Sequence, residues 1–227
     1  MSQYQDPMQH IAHVLETKCC AKQETYRNLK SVFELQKEEA LKVIASISGN
    51  LKKKDKDITL AVINVSENEF HVKVAGDLLV FFMHTNIITL DKEHRVNKSR
   101  YVTDNLMRKY LGQINVYNFM ADSFKYNRIN DPGYLISRFF VNVENHFFVE
   151  GDGQLNYMFE GLSGHPYTPA DISIFIQLAI SQAIDSDLVT LPFPSIRSIT
   201  LQQKMEKSLA LGGGQKIGFQ MSYQQEL

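Results

Sequence analysis

The densest run of side chains able to hold a metal or move a proton is His84, Asp91, Glu93 and His94. Imidazole and carboxylate together can hold a divalent cation and acidify its bound water. One functional reading is therefore a metal-dependent hydrolase or phosphodiesterase built on the segment from His84 to His94. The spacing matches no standard ligand pattern, and neither helical nor strand periodicity places all four side chains on one face. The plainer reading is a polar turn region after a strand.

A second constellation flanks Val143-Glu144-Asn145. With those residues as a hairpin loop and Asn145 in the left-handed region it tolerates, Asn142 faces His146, Phe140 faces Phe148, and Arg138 faces Glu150. The guanidinium offers bidentate contacts and the phenyl rings a stacking surface. These six residues form a candidate floor for a small anionic or nucleotide-like ligand, to which Lys125, Tyr126 and Arg128 can add. The plain alternative is a set of cross-strand pairs under a covering element.

Other signatures are excluded by order or context. Gly212-Gly213-Gly214 ends a helix and precedes a strand, the reverse of a phosphate loop. Cys19 and Cys20 are adjacent, which gives neither a disulfide framework nor a zinc ligand set, and their only basic neighbours are Lys18 and Lys22. His10 and His13 lack a carboxylate to complete a metal site. No cofactor is called for.

The elements that position these residues follow from composition and periodicity. The chain has 227 residues, 44% hydrophobic and 22% charged, values typical of a globular protein. Lys plus Arg number 24 against 25 Asp plus Glu, so no overall field draws in nucleic acid. The Lys52-Lys53-Lys54 run lacks interleaved aromatic residues for stacking on bases and reads as a solvated linker. A polar amino terminus, no long apolar run and the sparse cysteines point to a cytoplasmic protein without a membrane span.

The fold class expected is α+β. Residues 1–50 form a helical segment, either one long amphipathic helix or a pair broken near Thr17 to Gln23. Residues 57–227 form a mainly antiparallel domain of about seven to nine strands covered by a buried helix. Asp6 and Pro7 suit a helix start, and Gly49-Asn50 suits its stop. Within the segment Tyr26, Leu29, Phe33, Gln36, Ala40, Val43 and Ile47 recur at spacings of three and four, an apolar stripe along one face.

That stripe has two readings: packing on the protein's own sheet, or a self-association seam in which Gln36 fixes register. Strands are expected at Ile58 to Val65, Phe70 to Val74, Leu78 to Met83, Ile87 to Leu90, Ile114 to Met120, both arms of the hairpin, and Leu155 to Phe159. Thr168-Pro169-Ala170-Asp171 starts a helix, apolar nearly all round, through Ile184. A short helix through Leu201, Met205 and Leu209 and a terminal strand of Ile217, Phe219, Met221 and Tyr223 complete the chain. The function expected is a non-catalytic module that senses a small ligand or assembles with itself as a homo-oligomer through the first helix.

Overall fold

The computed structural model describes residues 6–51, 55–162, 164–190, 192–202, 204–205 and 219–221. The Lys52–Lys54 run, Leu209, the glycine run, Ile217 and Tyr223 lie outside the described residues.

The chain begins as expected, with the Asp6 side chain accepting the Met8 N–H at 3.0 Å and Pro7 in the first turn. Three segments follow without a break: α1 (Pro7–Val14), one π turn (Leu15–Cys19) and α2 (Cys20–Asn50). Val14, Leu15, Cys19 and Cys20 all keep right-handed helical dihedrals, so this is one helix. The polar stretch around Thr17 widens the helix locally instead of breaking it, and the Cys20 thiol donates to the Leu15 carbonyl at 3.3 Å.

Six strands form one antiparallel meander in chain order: β1 (Leu60–Ser66), β2 (Glu69–Val74), β3 (Asp77–Met83), β4 (Gly112–Met120), β5 (Tyr134–Val141) and β6 (Phe147–Gly151). Short connections force antiparallel pairing of β1 with β2, β2 with β3 and β5 with β6, because a parallel crossover needs a dozen or more residues; the longer connections on either side of β4 also return antiparallel. On one face, here the helix face, Phe70, Val72, Leu79, Phe81, Ile114, Val116, Phe139 and Val149 join α2 in a single core. Phe70 stacks on Phe81 with ring centroids 4.5 Å apart. Gly112 lies under the helix, where an added Cβ would come within 2.8 Å of the Leu29 Cβ.

The stripe on α2 is spent on this core. Leu29, Phe33, Gln36, Ala40 and Val43 are buried, while Tyr26 and Ile47 pack at its margin. The five buried residues present next to no surface to a second copy, whereas Tyr26 and Ile47 keep part of theirs. The physical reason is that the sheet's own apolar face competes for the stripe without the entropic cost of association.

The main sheet has six strands, fewer than the seven to nine expected. Ile87 to Leu90 contributes only a bridge between Ile88 and Leu111. Leu155 and Tyr157 lie in a short helix, α5 (Gln154–Met158), entered through Gly153 at φ 55°. Two of the expected strands are lost in this way. A separate antiparallel pair joins β7 (Leu188–Thr190) to β8 (Phe219–Met221).

The region from Arg95 to Lys109 forms two 3₁₀ turns around α3 (Arg100–Asp104), and α4 (Ala121–Lys125) follows β4. Thr168 and Asp171 make the full reciprocal cap of α6 (Pro169–Ile184). This helix buries one face, Ile172, Phe175, Ile176, Ala179, Ile180 and Ala183, and leaves Ile174 and Ile184 exposed, so it is a covering helix and not an enclosed one. No helix among the described residues is long and apolar enough to cross a membrane.

Candidate functional site

The helix face changes character at one end of the sheet. Cross-strand pairing puts Val72, Leu79, Asn118 and Tyr134 in one row, and Val74, Asp77 and Met120 in the next. Strand alternation gives all of them the same face as Phe81 and Val116. A buried apolar row therefore ends in a carboxamide, a carboxyl and a phenol. Here α6 runs out at Ile184, and Ser186, Asp187 and Leu188 turn down toward the sheet. The space between is a cavity of about 640 Å³, lined by these groups and by Asp57, Lys73, Asp122 and Lys125.

Asn118 is fully buried, at 0% exposure. Its Nδ2 donates to the Asp77 Oδ1 at 2.9 Å, and its own Oδ1 has no partner. Burial pushes the Asp77 carboxyl above its ordinary pKa, against the opposing effect of the Asn118 donation. Burial also raises the Tyr134 phenol. The Lys125 ammonium is raised by its contact with Tyr126 and, more weakly, by the charge of Asp122. The last turn of α6 carries no basic residue, so the partial negative charge of its carbonyl end is not offset within the helix.

The hairpin constellation takes the register its sequence implies, with Arg138 opposite Glu150, Phe140 opposite Phe148, and Asn145 at φ 61°. Its groups, however, are turned to structural use. Phe140 and Phe148 are stacked with centroids 4.7 Å apart and lie buried beneath Val96, Val102, Leu111 and Leu162. The Asn142 Oδ1 accepts the N–H groups of Glu144 and His146, each at 3.0 Å, and its Nδ2 donates to the Tyr101 hydroxyl.

The Tyr101 hydroxyl in turn donates to Glu144 at 2.7 Å, and its ring stacks on His146. Burial lifts the Tyr101 phenol to about 12 and lowers the His146 imidazole. Glu144, which burial alone would push up, is held below the usual carboxylate range by Tyr101 and Arg108. Glu150 pairs with Arg138 and lies 3.2 Å from the His94 Nε2. Phe140, Asn142 and Phe148 of the face expected to hold a ligand are buried, whereas the Arg138 side chain keeps 43% of its surface exposed.

The run from His84 to His94 disperses. The His84 Nδ1 accepts the Asn86 N–H, Asp91 accepts the Glu93 N–H, Glu93 pairs with Lys98, and His94 turns toward Glu150. Among the described residues no three His, Cys, Asp or Glu side chains converge to hold a metal ion. Lys125 lines the acidic cleft with its ammonium over the Tyr126 ring, on which the Arg128 guanidinium also packs. The cleft was missed because its walls come from five separated segments. One local signal existed: Asn118 falls in phase with the buried Ile114 and Val116, a polar residue in an apolar alternation. No family model, no curated protein and no solved structure matches this chain.

Proposed function

We propose that the protein is a non-catalytic binding module whose acidic cleft takes a small organic molecule. The observation that carries this reading is Asn118. A buried carboxamide oxygen without a partner costs about 1–3 kcal/mol, which offsets the gain from the Nδ2 donation to Asp77. A donor group of a ligand that reaches this oxygen would supply the missing hydrogen bond. The cavity is of the size that encloses small ligands.

The test is a thermal-shift panel of amines, carboxylates, polyols and nucleotides on the wild type and on Asn118→Leu. At least one class should raise the wild-type Tm, and the variant should lose that shift while melting no lower than the free wild type. A variant that melts several degrees lower, with no class stabilising the wild type, would mean that Asn118 is structural and the cleft empty of function.

A second reading, self-assembly with another copy of the chain, is supported at a different place from the stripe on α2. Met8, Ile11 and Leu15 lie at spacings of three and four on a part of the helix that buries nothing, and they are 70%, 50% and 55% exposed. Such a stripe suits pairing with the same stripe of a second helix.

A further inference from the structure

We infer that the cleft recognises an organic diamine or polyamine, a flexible ligand with separated ammonium groups. The inference rests on the reading of the cleft as a binding site and adds the chemistry of its occupant. At the base, the orphaned group is an acceptor, the Asn118 Oδ1, and the Asp77 carboxylate beside it is a second acceptor. A group complementary to two acceptors must be rich in donors, and an ammonium carries three donors and no acceptor.

The charges around the cavity agree. Asp57, Asp77, Asp122 and Asp187 line it against Lys73 and Lys125. Lys125 already feels Tyr126 and Asp122, and Lys73, paired with Leu78, alternates to the face opposite Asp77. The carbonyl end of α6 adds partial negative charge from above. These acids ring the cavity without converging on a point, because no group of three metal-binding side chains forms among the described residues. Dispersed acids suit a cation whose charges are themselves dispersed. A compact divalent ion requires several oxygens around one centre.

The probe is 1,4-diaminobutane, titrated calorimetrically into the full chain near neutral pH, with succinate and Mg²⁺ as controls. Saturable binding of the diamine is expected, weakened about tenfold or more in Asp77→Asn through loss of a charge-assisted contact. Asp187→Lys, an exposed change that does not threaten the fold, should weaken it severalfold and more at low salt. Binding of succinate or Mg²⁺ in place of the diamine, lost in Asn118→Leu, would overturn the diamine as the ligand and leave the cleft reading standing. Diamine binding unchanged in both Asp77→Asn and Asp187→Lys would place the ligand elsewhere and overturn the inference. Absence of diamine binding would overturn it too, and the wider panel would then decide the cleft by itself.

Discussion

Asp77 and Asn118 form a pair whose cost depends on pH. In the folded chain the Asp77 carboxyl holds its proton to a higher pH than in the unfolded chain, because burial disfavours the charged form. Between the two pKa values the folded state binds more protons. Stability therefore falls as pH rises through that window, and the full cost of the carboxylate remains above it. Asp77→Asn removes that cost and keeps a group able to accept from Asn118. Thermal melts of the two proteins should differ least near about pH 4 and shift in favour of the variant toward about pH 7. A wild-type advantage that grows with pH would mean that the carboxylate is stabilised by a neighbouring cation. At this scale the sequence disclosed Asn118 through its phase with Ile114 and Val116. It did not disclose Asp77, which reads as an ordinary turn residue after Ala75-Gly76.

Elements were legible where a local rule controls them. Asp6 with Pro7 and Thr168 with Asp171 cap their helices as their sequences imply, and the β5–β6 hairpin takes its implied register because loop chemistry and alternation agree. Leu155 to Phe159 alternates like a strand, yet Gln154–Met158 is helical: five residues are too few for periodicity to separate the two. The stripe on α2 showed its face correctly and could not show its partner, since a core helix and a seam helix share one pattern. What remains available for assembly is the first two turns. Light scattering at tens of micromolar should find more than one copy per particle for the wild type and a monomer for Ile11→Asp, whose fold is preserved because α1 buries no residue. A monomeric wild type, or an assembly indifferent to Ile11→Asp, would end the assembly reading.

Across the whole molecule, the two faces of one sheet have different fates. One face is closed, at the end that holds Phe140 and Phe148, by the segment from Ile87 to Tyr110, which engages Asn142, Glu144 and His146 through Tyr101. The helix face is covered by α2 and α6 along much of its length and opens into the cleft where α6 ends. The cleft is thus a product of helix length against sheet width, and its lining residues are scattered from Asp57 to Leu188. No local pattern records such a meeting of distant segments.

The most direct test of the cleft as a site for a small organic cation is nuclear magnetic resonance of the labelled protein titrated with 1,4-diaminobutane. The signals to follow are the Asn118 side-chain amide and the backbone amides of Arg138 to Glu150. Saturable shifts of the Asn118 amide and of the residues around Asp77, with the hairpin unmoved, are the predicted result. Shifts confined to the hairpin face, or an Asn118 amide that stays in place at saturation, would contradict it.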